Sequence, residues 1–275
     1  MQQAIWNLDI DSVDAKQAKK ALVFLADEIE RYNHAYYIEN QSLVSDAEYD
    51  YLFNLNLKLE QKFPDLKLAN SPSERVGANN INTAFRKIKH KIPMLSLANC
   101  FNQKEFSDFI KKTQRFLNID YIPTIFCELK IDGLSFSARY EHGKLVQAAT
   151  RGDGLIGEDI TNNIKTIKSL PHNIKNAPDI LEIRGEVYMP KLAFAELNTQ
   201  SRQNEEAEFS NPRNAASGSL RQLDSSITAI RNLQYFVYGY GEISTDFANT
   251  QQEMLQKLAD FGFVVNDQYL LTDQT

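Results

Sequence analysis

The sequence predicts an α+β protein with mainly antiparallel sheets, preceded by a small helical unit. Two observations carry this prediction. Apolar residues recur at spacings of three and four over residues 13–39, and from Tyr121 onward the period drops to two in segments joined by a hairpin signal. A third is negative: those later segments alternate apolar with polar residues, and do not form the continuous apolar runs of a buried parallel sheet.

The bulk numbers bound the function. At 275 residues the chain is long enough for one large domain or two unequal ones. Its 43% hydrophobic and 24% charged content is that of a globular protein in water. A net charge of −6 argues against autonomous nucleic-acid binding, although basic groups can still cluster locally. Cys100 and Cys127 are the only cysteines, and no Cys/His set has zinc-ligand spacing. A reducing compartment is expected, with Cys127 as a small buried residue. The first residues lack a basic segment followed by an apolar core, and no run has membrane-spanning length, so a cytoplasmic protein is expected.

Taken in order, the first helix places Ala18, Ala21, Leu22, Leu25, Ile29, Tyr32 and Tyr36 on one stripe. After a short loop, Ser45-Asp46-Ala47-Glu48 reads as a capping box opening a second helix, which Pro64 ends after about Lys62. Two such helices carry little core of their own and are expected to lean on the rest. Residues 64–94 are punctuated by Pro64, Pro72, Gly77 and Pro93, which puts the boundary of the helical unit near residue 70. A helix follows from about Lys104 to Leu117. A strand carrying Phe126, Glu128 and Lys130 on one side and Cys127, Leu129 and Ile131 on the other then runs to Asp132-Gly133. Leu134–Tyr140 and Lys144–Thr150 form a hairpin around Glu141-His142-Gly143-Lys144. Gly152-Asp153-Gly154 turns into a helix bearing Ile160, Ile164 and Ile167. Ile180–Met189 is a strand with Leu181, Ile183 and Val187 inward and Glu182, Arg184 and Glu186 on the other face. Helices at about 192–201, 211–223 and 249–261 flank an aromatic strand at 233–240.

Gly152-x-Gly154-x-x-Gly157 matches the dinucleotide-binding fingerprint literally, which by itself suggests a Rossmann oxidoreductase. The preceding strand is the second arm of a hairpin, however, so a plain glycine turn is favoured. Even so, helix-start amides beside Arg151 could suit a phosphate. Lys130 within a strand could be a nucleophile, but a free amine with pKa about 10.4 needs desolvation or a neighbouring cation to act at neutral pH. Pattern alone favours a Glu128–Lys130 ion pair on a solvated face. Arg184 and Glu186 share a strand face, and Arg213 and Arg221 lie eight residues apart on a helix. Tyr36, Tyr37, Asp46, Tyr49 and Asp50 would line the groove between the first two helices, with an ordinary helix-pair interface as the simpler reading.

In order along the chain, SDAEYD, SPSERVGA, PMLSLANCF, CELKIDG, ATRGDGLIGEDIT, EIRGEVY and NPRNAASGSLRQLD resemble the N-terminal part of bacterial NAD-dependent DNA ligases, from about Ala21 to the last residue. A single K-x-D-G occurs widely, whereas this set in this order is specific. The resemblance implies a nucleotidyltransferase (adenylation) domain over residues 71–275, preceded by a unit over residues 1–70 that recognises the nicotinamide mononucleotide half of NAD+. Lys130 matches the lysine that attacks the NAD α-phosphate and becomes lysyl-AMP. Glu128 matches the reader of the adenine edge, Ser96 and Leu97 a nucleotide-contact segment, and Asp132 and Gly133 the rest of the lysine motif. Arg151 matches a nucleotide or phosphate contact, Glu186 the acid near the ribose or metal, and Tyr238 an aromatic that stacks on adenine. Arg213 and Arg221 match phosphate- or DNA-facing arginines. Tyr36 and Tyr37, with Asp46, Ala47, Glu48, Tyr49 and Asp50, match the nicotinamide mononucleotide pocket, where carboxylates face a cationic ring.

The resemblance further implies NAD+ consumed as AMP donor, Mg2+ (or Mn2+) screening phosphate charge, no residue assigned as a metal ligand, nicked double-stranded DNA as partner of the complete enzyme, no membrane, and a monomer. Ala98 departs from the acid common in the S-L-x-N segment. The family's later motifs are not among these residues, so a partial sequence is expected, with nick sealing reserved for the complete enzyme. A non-catalytic NAD-binding fragment and an ATP-dependent relative sharing K-x-D-G remain as alternatives.

Overall fold

The computed structural model describes Ile5 and residues 8–10, 12–37, 43–74 and 85–272. Two compact units emerge: one takes the residues up to 84 with Glu208–Ser210, the other Phe85–Ala207 and Asn211 onward.

The first unit is built on α1 (Ala15–Tyr37) and α2 (Asp46–Lys62). The predicted stripe is buried from Ala18 through Tyr32, against Leu52, Leu55 and Leu59 of α2. Tyr36 lies outside the described side chains. Ile5 and Val13 join the same cluster, so the unit has a core of its own, contrary to the expectation of little core. The capping box forms: Ser45 accepts from the Glu48 amide while Glu48 accepts from the Ser45 amide at 2.8 Å. The Tyr49 hydroxyl donates to Asn33 at 2.9 Å and ties α2 to α1. Beyond α2 two 3₁₀ turns, Pro64–Leu66 and Pro72–Glu74, fold back. Their anchor is the buried Glu60 carboxylate, which accepts from Asn56 at 2.9 Å, from Ser73 at 2.7 Å, and from Ser71.

The second unit holds α3 (Gln103–Leu117), α4 (Thr161–Ile164), α5 (Lys191–Gln203), α6 (Pro212–Leu220), α7 (Ser225–Ala229) and α8 (Gln251–Asp260). Its strands are β1 (Lys87–Lys89), β2 (Ile125–Glu128), β3 (Leu134–Glu141), β4 (Lys144–Thr150), β5 (Ile156–Glu158), β6 (Ile180–Tyr188), β7 (Gln234–Ile243) and β8 (Tyr269–Thr272). The main sheet has the order β4-β3-β6-β7 and is antiparallel throughout, while β1 pairs β5 and β2 pairs β8. The predicted hairpin closes through His142 and Gly143, both at positive φ, as a two-residue turn matching strand twist requires.

Phe136, Ala138 and Tyr140 of β3, Leu181, Ile183 and Val187 of β6, and Tyr235 and Val237 of β7 form the buried apolar face. Ile160, Ile164, Ile167 and Leu170 are buried as well, α6 packs on β6 and β3, and α8 on β7. The two core tyrosines satisfy their hydroxyls on backbone, Tyr140 donating to the Pro171 carbonyl at 2.6 Å and Tyr235 to that of Ser169 at 3.2 Å.

Several expectations are corrected. The strand that begins at Ile125 ends at Glu128, because its partner β8 is four residues long, so Lys130 lies beyond it in an extended connection. The glycine turn leads into β5 and not into a helix, and α4 is a single turn. Cys127 is exposed, since the two-stranded β2–β8 sheet leaves it uncovered. Glu182 and Glu186 face away from the apolar core as expected, yet both are buried. No helix among the described residues is long and apolar enough to cross a membrane.

Replacing Glu60 with alanine strips Asn56, Ser71 and Ser73 of a shared buried acceptor. The expected cost is about 1–3 kcal/mol of stability in urea unfolding, against no more than about 0.5 kcal/mol for the exposed Lys19→Ala.

Candidate active site

The polar face of the main sheet pairs Ser135 with Glu186, Ser137 with Arg184 and Arg139 with Glu182. Glu186 is its centre. Only 5% exposed, it accepts from the Ser135 hydroxyl at 2.6 Å. Burial pushes its carboxyl above the ordinary carboxylate range, against the Ser135 hydrogen bond and the charges of Arg213, Lys130 and Arg151. No ion pair to Glu186 closes within 4.0 Å among the described residues, so those three cations surround the carboxylate at longer range.

Each cation arrives on a different segment. Lys130 is exposed in the connection from β2 to β3. Three residues on, Gly133 passes so close to β6 that an added Cβ would lie 2.1 Å from the Val187 carbonyl oxygen, which explains the glycine. Between them Asp132 accepts from Arg213 Nη1 at 2.8 Å. Arg213 sits in the first turn of α6, where Pro212 opens the helix and the Asn211 side chain accepts from the Asn214 amide at 2.7 Å.

Arg151 follows β4, with its amide donating to the Ser135 carbonyl at 3.1 Å. His90, 6% exposed, brings Nε2 to 3.1 Å from the carbonyl oxygens of both Thr150 and Arg151. Carbonyls only accept, so Nε2 carries the proton and pins the turn. Gly152 and Gly154 have φ of +58° and +92°, and Asp153 Oδ1 accepts from the amides of Leu155 and Ile156 at 2.9 and 2.7 Å. The glycines serve a tight turn between two antiparallel strands, which removes the structural premise of a Rossmann site.

Tyr238 owes its position to a bulge. Val237 opposes Gly185 and Gly239 opposes Arg184, so Tyr238 is the extra residue of β7 at the register shift. Its hydroxyl is pushed above the ordinary phenol range by burial and by the charge of Glu186, against Ser135, Arg151 and Arg184. At the neighbouring edge Gln251 of α8 donates to the Tyr238 carbonyl at 3.1 Å and to Glu128 Oε2 at 3.4 Å. Glu128 is exposed as a whole residue, but crowding about its carboxyl end raises its pKa, with Gln251 opposing.

Other singled-out residues stand apart. Arg221, at the opposite end of α6 from Arg213, donates to the buried Glu158 at 2.8 Å. Ser96 and Leu97 are exposed in an irregular stretch and make no hydrogen bond to Glu128, Lys130 or Glu186. In the first unit, Glu48 is occupied by the cap and Tyr49 by Asn33, while Asp50 is half-buried on α2. Tyr36 and Tyr37 close α1 and Asp46 and Ala47 open α2, but their side chains lie outside the described residues. Sequence reading missed Ser135, His90, Glu158 and Gln251. Only Ser135 had a signal, as the first outward position after Gly133 on β3.

Lys130, Arg151 and Arg213 about the sheltered Glu186, with Tyr238 beside it, make up the candidate site on a mainly antiparallel α+β scaffold, and the family matches place that scaffold in the nucleotidyltransferase class. Residues 82–275 match the family described as the NAD-dependent DNA ligase adenylation domain, and residues 15–77 the DNA ligase-like, N-terminal NAD+-binding domain. The chain belongs to the NAD-dependent DNA ligase family. Among its relatives are proteins named DNA ligase from Rickettsia canadensis (strain McKiel), 58% identical over 95% of this chain, and from Rickettsia bellii (strain OSU 85-389) and Rickettsia conorii (strain ATCC VR-613 / Malish 7), each 55% identical over 94%. The chain spans 37–38% of the length of these relatives.

A carboxyl with a raised pKa holds its proton more tightly in the folded state. Its stabilising contribution is therefore complete below the unfolded value, about 4.3, and is lost as pH rises through the raised one. Glu186→Gln removes that dependence. The variant should exceed the wild type in stability at neutral pH and lose the advantage on acidification, read by urea unfolding across pH. A variant weaker at neutral pH than in acid would contradict the sign.

Proposed function

We propose that this chain binds NAD+ and transfers its adenylate to Lys130. The observation that carries the reading is the gathering of Lys130, Arg151 and Arg213 around Glu186, with Arg213 also paired to Asp132 at 2.8 Å. Three positive charges against one sheltered carboxylate, with Asp132 holding Arg213, leave a cationic setting for an anionic nucleotide. An exposed amine beside it is open to in-line approach. Lys130 Nζ forms a P–N bond to the α-phosphate as the P–O bond to nicotinamide mononucleotide breaks, and the amine proton passes to water.

In this reading Tyr238 stacks on adenine, Glu128 accepts from its edge with Gln251 fixing the carboxylate, and Ser96 and Leu97 line the same nucleotide. Glu186 and Asp132 hold the ribose side with Gly133 giving room, and Arg151 and Arg213 take phosphate oxygens. The residues up to about 70 act as the nicotinamide mononucleotide unit, with Tyr36, Tyr37 and the stretch Asp46, Ala47, Glu48, Tyr49 and Asp50 around the ring. Residues 71 onward form the adenylation domain. Among the described residues no group of three or more His, Cys, Asp or Glu could hold a metal ion. Mg2+ would come with the nucleotide phosphates and screen their charge. The complete enzyme would pass AMP to the 5′-phosphate of a DNA nick and seal it, with Arg221 toward the DNA, as a cytoplasmic monomer in replication and repair.

Incubation with NAD+ labelled in its adenylate tests the first step. Label surviving denaturation is expected from the wild-type chain and lost in Lys130→Ala; NAD+ binding with no adduct at excess protein would reduce the chain to a binding fragment. In the complete enzyme Tyr36→Ala or Asp46→Ala should impair reaction with NAD+ while sparing the sealing of pre-adenylated nicks. Equal loss of both steps would rule out the assigned pocket.

A further inference from the structure

The run Arg86-Lys87-Ile88-Lys89-His90-Lys91 is strongly basic within a chain of net charge −6. Its apolar and ring positions are spoken for: Ile88 and His90 are buried, and β1 pairs with β5 through Lys87↔Glu158 and Lys89↔Ile156. Arg86, Lys87, Lys89 and Lys91 are exposed. Lys87, Lys89 and Lys91 stand at alternate positions, so they share a face about 6.7 Å apart, a step commensurate with successive phosphates of a nucleic-acid strand, while Arg86 falls on the other face with Ile88 and His90. Of these four, only Lys87 has a carboxylate partner, Glu158 at 3.5 Å. Arg86, Lys89 and Lys91 pair with no carboxylate among the described residues.

The neighbouring acids are committed elsewhere. Glu158 also accepts from Arg221 at 2.8 Å, so one buried carboxylate joins the basic strand to the C-terminal end of α6. Asp153 caps its own turn and Asp159 accepts from Thr161. Lys89 and Lys91 rim a cleft of about 460 Å³ over the polar sheet face, shared with Arg139 and two acids. Those acids are held as well, Glu141 by Arg139 and Glu182 by Arg184. The surface is concave and carries positive charge that no internal acid offsets.

We infer that the outward face of β1 and its C-terminal flank, Lys87, Lys89 and Lys91, forms a phosphate-backbone track for duplex DNA, continuous with Arg221 through Glu158. The inference rests on the DNA-directed reading of the chain and extends it to residues outside the adenylation site. A linear array suits a polyanionic strand, where each displaced counterion adds to binding; a mononucleotide would engage one or two of these cations at most.

The test compares the 275-residue chain with its K89Q/K91Q variant and with a control, K111Q/K112Q, that makes the same change in net charge on α3. Each is titrated with a fluorescent nicked duplex bearing a 5′-phosphate over a salt series, alongside NAD+ binding. The strand variant should bind DNA more weakly, with the slope of log K against log salt reduced by up to about 1.8, that is, 0.9 for each of two contacts. NAD+ binding should be unchanged, and the control should keep the parental slope. A parent that does not bind DNA, an unchanged slope in the strand variant, an equal loss in the control, or a parallel loss of NAD+ binding would each overturn the track. The adenylation reading fails separately: a chain that forms no lysyl adduct yet loses its salt slope in the strand variant would refute that reading and leave the track standing.

Discussion

A single buried carboxylate sets the terms for the second unit. Taking Glu186 out of water costs several kcal/mol, and one hydroxyl hydrogen bond from Ser135 returns about 0.5–1.5. The balance falls to Lys130, Arg151 and Arg213, none of which closes an ion pair on it. Desolvation wins, as the raised carboxyl shows. The cations are near enough to Glu186 to be felt and too far to form contact ion pairs with it, and Arg213 is held instead by Asp132 at 2.8 Å.

The supports of this arrangement are mostly backbone. Gly133 lets the lysine connection run against β6, His90 clamps two consecutive carbonyls at the start of the arginine turn, and a bulge turns Tyr238 out of strict alternation. Each fixes the path of a chain segment rather than touching a reacting atom. Lys130 can therefore remain solvent-facing while the backbone that carries it is held against β6.

Local elements were readable in the residues. The Ser45–Glu48 box, the His142-Gly143 turn and the inward set Leu181, Ile183 and Val187 depend on neighbours in sequence, and all appear in the structure. What could not be read depends on distant partners. The alternation around Cys127 runs on past Glu128, but strand length is set by the four residues of β8, so Lys130 leaves the strand and Cys127 stays exposed. The glycine fingerprint is blind to whether β5 or a helix follows. The burial of Glu186 needs Ser135 and Tyr238 from two other strands, and no window along the chain contains all three. The roles of the site residues came from matching ordered motifs; pattern alone made Glu128 and Lys130 a surface pair.

Ser135, Glu186 and Tyr238 come from three adjacent strands of one sheet, and Arg151 from the end of the fourth. No sub-global opening that removes a strand can leave the constellation intact. These anchors share the cooperative unit of the sheet, and the stretch after β1 is tied to it as well, through the Met94 amide donating to the Gly154 carbonyl at 2.8 Å and Arg184 donating to the Pro93 carbonyl at 3.0 Å. Loss of any one of these strands would therefore scatter the polar groups around Lys130 together, not one at a time.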